Sequence, residues 1–476
     1  LNAGTYTLNA VVNVNKTGIT LLGNTTIFEV SGTGDRLDIS ADGVTLENVE
    51  IIKTDKTGPQ EIIRLRANNI TIKNNIIHGQ FVIGDGEVSR AMVFNAGAYS
   101  GLQIEGNTIY DLRQPAYISG TNTGNIINNN TYNTKGWVVE GGNLTFTNNT
   151  WGINVYDIAI IPSCPAIYYT DIAAMSNTNN GAVIEDQRVS PAVLSVVHVD
   201  GSTSFTTDLG GDYHPYSSIT PAITRVVNGG KILVAAGTYT EQLTVDNKSV
   251  SIIGAGKSTT FLNAPAVMAI TFTTSNPHYC IVGALGNSVL NIDGFTIDGL
   301  SNGNSRYRYV GIGYRNAGGS VVNCDINNIQ DSPFSGAQHG VAVYMYNNDG
   351  IPRSFDLTGC TLRDFQKNAT AINSDDALTV NISGNTVNGK GATGVTAQNG
   401  IQIFGDNITG NIDNNIVNGI EWIYPGTGTA WVATSILNFY GDVDIFENTV
   451  NNGQVGLYNI DGSSNIDDND FNIVNS

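Results

Sequence analysis

The chain has 476 residues and a formal net charge of −19, with 13 % charged residues, 41 % hydrophobic residues and 55 glycines. An acidic balance of this size excludes a nucleic-acid backbone as partner, because that binding needs clustered Lys and Arg to release counterions. No apolar run approaches the roughly 20 residues that span a bilayer, and Asn, Gly, Thr and Ser favour strands and tight turns over helix.

The first predicted element is the strand phrase AGTYTLNAVVNV at residues 3–14. A shorter phrase then recurs: a strand with period-two apolar positions, a polar corner usually holding Asn, and a second short strand. ITIKNNIIHG, LQIEGNTIYDL, GNIINNNTYNT and NLTFTNNTWG place these corners at Asn75, Asn107, Asn130 and Asn149. The rhythm fades after residue 152, and residues 153–195 read as a linker with a few strands, either free or packed on the end of the first coil. An entry segment follows, in which YSSITPAITRVV carries Ile219, Ala222, Ile223, Val226 and Val227 at helical spacing. That pattern predicts a short amphipathic helix closing the bottom of a coil and hiding its open strand edge. The opening phrase then returns as AAGTYTEQLTVDN at 235–247 and marks a second module, with corners at Phe295, Cys324, Cys360, Asn385, Asn415, Asn448 and Asn469. The expected organisation is a first coil over 1–152, N-terminally incomplete, the linker 153–195, and a second coil over 196–476. Cys324 and Cys360 stand at adjacent corners, as two stacked thiols or, alternatively, a disulfide; with Cys164 and Cys280 they form no CxxC metal motif.

Corners spaced 19 to 36 residues apart, with loops of unequal length between them, resemble the right-handed parallel β-helix of pectate lyases, polygalacturonases and many surface proteins. The resemblance implies an all-β fold of two such helices in tandem, with the short capping helix at the start of the second. Residues 213–256 also look like the first turns of pectin methylesterases, through their Val-x-x-Gly-x-Tyr-x-Glu rung. The esterases' Gly-x-x-Asp-Phe-Ile-Phe-Gly motif is absent from the sequence. Polygalacturonases pair aspartates ahead of Gly-His-Gly and Arg-Ile-Lys. Here Asp375 and Asp376 follow Gln338-His339-Gly340 in reversed order, and no Arg-x-Lys comes after.

A lyase of the pectate-lyase type needs a basic residue to remove a proton and a cation to neutralise a carboxylate. Aligning GIGYRN, GVAVYMYN and AINSDD sets Arg315, Tyr344 and Asp375 in one column across roughly 10 Å of stacked strands. His339, Tyr346, Arg353 and Asp376 are expected close by. Catalytic candidates are therefore Arg315, His339, Asp375 and Asp376, and binding candidates Tyr344, Tyr346 and Arg353. The same residues also fit an Arg–Asp pair on a solvated face, or aromatics that hold sugar rings without chemistry. After Lys390 the chain carries ten carboxylates and no Lys or Arg. Within NIDDNDFN, Asp467, Asp468 and Asp470 are candidate ligands for calcium, a cation that prefers hard oxygen donors; an acidic surface without calcium is the alternative.

These features favour a secreted or cell-surface structural or adhesive protein, a surface-layer or fibre-type building block whose partners are polysaccharide or neighbouring copies of itself. A carbohydrate-active enzyme, a polysaccharide lyase, hydrolase or epimerase, is the alternative, and a trimeric fibre is a third reading.

Overall fold

A computed structural model describes residues 1–207, 209–423 and 432–473. The chain divides into two compact units. Unit 1 holds Leu1–His198 with Phe205–Pro215 and Arg225–Gly230; unit 2 holds Val199–Ser204, Tyr216–Thr224 and the chain from Lys231 onward.

Each unit is a parallel β-coil. In unit 1, Leu102–Glu105 pairs in parallel with Thr71–Lys73 on one side and Thr123–Ile127 on the other. Asn143–Thr147 then pairs with Thr123–Ile127, so Ile72, Ile104, Ile126 and Phe146 stack in register. All four are buried. Because side chains alternate across a strand, this in-register column faces the coil's interior while the residues on either side of it in each strand face outward.

The corners form a hydrogen-bonded ladder. The Asn107 Oδ1 accepts both the backbone N–H and the side-chain amide of Asn75 at 3.0 Å, while the Asn107 Nδ2 donates to the Ile72 carbonyl at 2.8 Å. The same pattern links Asn107 to Asn129 and Asn129 to Asn149. The corner expected at Asn130 is thus Asn129, fully buried, whereas Asn130 points to solvent. In the run of three asparagines at 128–130 only the backbone decides which one turns inward. It also divides the labour. The residue before each ladder position adopts the left-handed conformation, as at Asn74, Gly106, Asn128 and Asn148, and the ladder Asn makes the bonds.

Residues 153–195, expected as a linker with a few strands that either stands free or packs on the first coil, are built into unit 1 as further turns of it. Ile158–Ile160 stacks in parallel on Trp137–Val139, and Ile184–Asp186 on Ile158–Ile160. Asn179 carries the ladder on, accepting from the Asn149 Nδ2 at 2.8 Å. The rhythm is lost in sequence because a helix, Ile172–Thr178, takes the place of a strand before this corner. Val193–Val199 then runs antiparallel to Ile184–Asp186.

Unit 2 coils through three parallel sheets. Val289–Asp293, Thr296–Asp298 and Tyr309–Arg315 belong to one each. The helix Ile219–Arg225 buries Ile219, Ala222 and Ile223, as predicted, but Val226 and Val227 already belong to a strand. The repeated phrase explains how the helix is held. The Glu241 carboxylate accepts the Ile219 and Thr220 N–H groups at 2.7 and 2.8 Å, and Lys248 donates to the Ile223 carbonyl at 2.7 Å. Tyr239 is 3 % exposed with its hydroxyl donating to the Ala235 carbonyl. In the first copy Leu8 replaces the glutamate, and Tyr6 stands 41 % exposed.

The second ladder follows the expected corners. Asn385, Asn415, Asn448 and Asn469 bond in file, each accepting from the one before at 2.9 Å. Cys360 donates its N–H to Asn385, and Cys324 donates its N–H to the Cys360 Sγ at 3.4 Å. Both cysteines are free thiols, which rules out the disulfide alternative in this structure.

Candidate functional site

The front sheet of unit 2 comprises Tyr309–Arg315, Val341–Asn347, Asn368–Ser374, Asn399–Phe404 and Thr434–Phe439, flanked by Pro277–Leu285 and Val455–Ile460. Its register sets Arg315, Tyr346, Asn373, Phe404 and Phe439 in one column. Tyr344 lies two residues away, opposite Gly313 and Ala371, and Asp375 falls just past the strand end. The column expected from the sequence is therefore shifted. Sliding a strand by two residues keeps every side chain on its face, so the apolar pattern cannot detect it.

Arg315, Tyr346 and Asp375 nevertheless meet. The guanidinium lies over the Tyr346 ring, 4.8 Å from its centroid, and donates to Asn316, Asn348 and the Tyr346 carbonyl. The Tyr346 hydroxyl donates to the Asp375 carboxylate at 2.8 Å, and this bond raises the phenol's pKa. Around the corner the Asp376 carboxylate accepts the Gly350 N–H at 2.8 Å. Arg353 forms a two-pronged pair with Asp349 at 2.6 and 2.7 Å and reaches Asn287. Every charged member of this corner is engaged by a neighbour. That is the arrangement of a structural network, although Asp375 itself stays exposed to solvent.

His339 and Tyr344 are not part of it. His339 precedes the strand whose far end carries Tyr346, and the five strand steps from Val341 to Tyr346 alone span roughly 17 Å. It is buried against Tyr307 and faces Asp331 at 3.8 Å; burial lowers its pKa although that carboxylate opposes the shift. Tyr344 packs against Phe272 and His278 beneath the hairpin formed by Phe272–Thr273 and Pro277–Leu285. Burial there, reinforced by the charge of Arg308, depresses His278 to about 4.

The calcium candidates also separate. Asp467 ends a strand of one sheet, Asp470 begins a strand of another, and Asp468 is the left-handed residue between them. Among the described residues no three His, Cys, Asp or Glu side chains converge as a metal ion requires.

The feature missed from sequence is the aromatic end of the front sheet. Phe404, Tyr440 and Tyr458 are 44, 41 and 47 % exposed. Phe404 lies 5.9 Å from both Phe439 and Tyr440, ring centre to ring centre. Beside them opens a mainly apolar groove of about 690 Å³, lined by Trp422, Phe439, Leu437 and Tyr458 and at its edge by Gln338, Lys367 and Asn399. Lys367 donates to the Ala397 carbonyl, and burial lowers its pKa. The phrases GIQIFGD and SILNFYG carried the signal: an aromatic at an outward position, one strand after another.

No protein-family model and no curated protein matches the chain. Among solved structures, pectin methylesterase PemA from Erwinia chrysanthemi is similar over 56 % of this chain and 80 % of its own, with 13 % identity and a TM-score of 0.31. The PL6 family alginate lyase AlyGC is similar over 98 % of this chain and 94 % of its own, with 11 % identity and a TM-score of 0.32.

Proposed function

We propose that this is a secreted or cell-surface structural protein that holds a neutral polysaccharide on the front sheet of unit 2 without cleaving it. The supporting observation is a set of aromatics beside the groove: exposed Phe404 and Tyr458 and half-buried Phe439 on successive strands, with exposed Tyr440 just past the end of one. Strands stack about 4.8 Å apart, so rings repeated from strand to strand offer an extended chain of sugars one apolar platform after another. Gln338 and Asn399 at the groove edge supply amide groups for hydroxyls. The chain's net charge of −19 works against a polyanionic sugar, and Lys367 is the groove's only cation among the described residues. No catalytic step is assigned, since Asp375 and Asp376 stand at one end of the front sheet and His339 at the other, too far apart to act on one bond.

Affinity electrophoresis through gels containing neutral or uronate polysaccharides tests the reading, together with assays for new reducing ends and unsaturated products. Retardation by a neutral polysaccharide, lost in Phe404→Ala and Phe439→Ala and without product formation, supports it. New reducing ends or unsaturated uronates would return the enzyme reading to first place.

A further inference from the structure

Unit 1 holds a polar pocket of about 310 Å³, close to the lower size of small-molecule sites. Its walls include Trp151, Asp157, Asn180, His198 and Asp212. The sequence offered no reason to single out any of them.

The pocket is built firmly. The Asp157 carboxylate accepts the Val183 N–H at 2.7 Å and the Asn154 Nδ2 at 2.8 Å. Asn154 is itself fixed, accepting from the Thr134 N–H and hydroxyl. The Trp151 indole is held by its Nε1–H donating to the Asn179 carbonyl at 2.7 Å. Gly181, at φ +77°, has no atom within 4 Å of where a Cβ would stand, so the wall stays open at that point.

Its charge is one-sided. Two carboxylates line it and, among the described residues, no Lys or Arg does. His198 does not compensate: burial lowers its pKa, although Asp212 lies 3.5 Å from its Nδ1. Burial raises Asp157 to about 7, the Asp212 charge adds to the rise, and the two hydrogen bonds oppose it. A buried carboxyl facing a second carboxylate is relieved by a cation. A bare metal ion does not suit, because among the described residues no three His, Cys, Asp or Glu side chains converge and the space exceeds a single ion. An indole beside amide and hydroxyl groups suits a ring that has an apolar face and hydroxyl edges.

We propose that this pocket binds an amino sugar, with Asp157 and Asp212 facing its ammonium group and Trp151 its ring. The site is distinct from the front sheet of unit 2 and stands whether or not that sheet binds glycan.

Isothermal titration at neutral pH with glucosamine, glucose, N-acetylglucosamine and lysine amide tests it on the whole chain. Glucosamine should bind at least about tenfold more tightly than glucose or N-acetylglucosamine, the discrimination expected of one charge-assisted contact. Lysine amide, which has the amine without the ring, should bind more weakly than glucosamine. Asp157→Asn should abolish binding, but it also disturbs the bonds from Val183 and Asn154. Asp212→Asn lies at the exposed rim and should weaken glucosamine about tenfold with the fold intact. No glucosamine binding, equal affinity for glucose, lysine amide binding as tightly as glucosamine, or an unaffected Asp212→Asn each overturns the proposal.

Discussion

Asn415→Ala tests the ladder that holds unit 2 together. Asn415 is fully buried, and its Oδ1 accepts from the Asn385 N–H at 3.0 Å and the Asn385 Nδ2 at 2.9 Å. Its own Nδ2 donates to the Ile382 carbonyl at 2.8 Å and to the Asn448 Oδ1 at 2.9 Å. Alanine removes all four bonds and leaves two hydrogens of Asn385 buried without an acceptor. At about 1–3 kcal/mol for each orphaned donor the loss is roughly 2–6 kcal/mol. In a unit of this size that corresponds to a fall in melting temperature of roughly 5–20 °C. Asn415→Cys should cost less, since a thiol at Cys360 already accepts the Cys324 N–H at 3.4 Å in the same ladder. Differential scanning calorimetry measures both variants, and amide exchange at Asn385 localises the damage. A loss below about 1 kcal/mol for the alanine variant, or equal losses for alanine and cysteine, would refute the view that corner hydrogen bonds hold the stack.

Three further outcomes follow from the geometry. Cys360→Asn should stabilise unit 2 by about 1 kcal/mol, seen as a higher melting temperature, because the new amide can donate to the Val321 carbonyl as Asn385 donates to that of Leu357. Asp157 is raised in the folded state, so its contribution to unit 1 is complete below about pH 4 and is lost as pH rises through about 7. Asp157→Asn should flatten that window in melts compared across it. His278 is depressed, so its contribution is present above about pH 6.5 and is lost as pH falls toward about 4; an NMR titration of its ring should find it neutral at about pH 5.5.

The sequence by itself determined what repeats locally. Alternating apolar residues marked the stacked strands, the corner positions from Asn385 to Asn469 superimpose as expected, and the spacing of Ile219, Ala222 and Ile223 located the helix. These signals are legible because each depends on a residue's own conformational preference or on a neighbour within a few positions. Tertiary structure decided the rest. It chose Asn129 over Asn130, extended the first coil through residues 153–195, and set Tyr346 instead of Tyr344 beside Arg315. It also carried His339 to the far end of its strand and gathered Asp157, His198 and Asp212, which lie as far as 55 residues apart, into one pocket. Register between coils is fixed by hydrogen bonds between segments about 20 to 40 residues apart, and a slip of two residues preserves every local pattern. Which side chains share a surface is therefore settled only when one coil lies upon another.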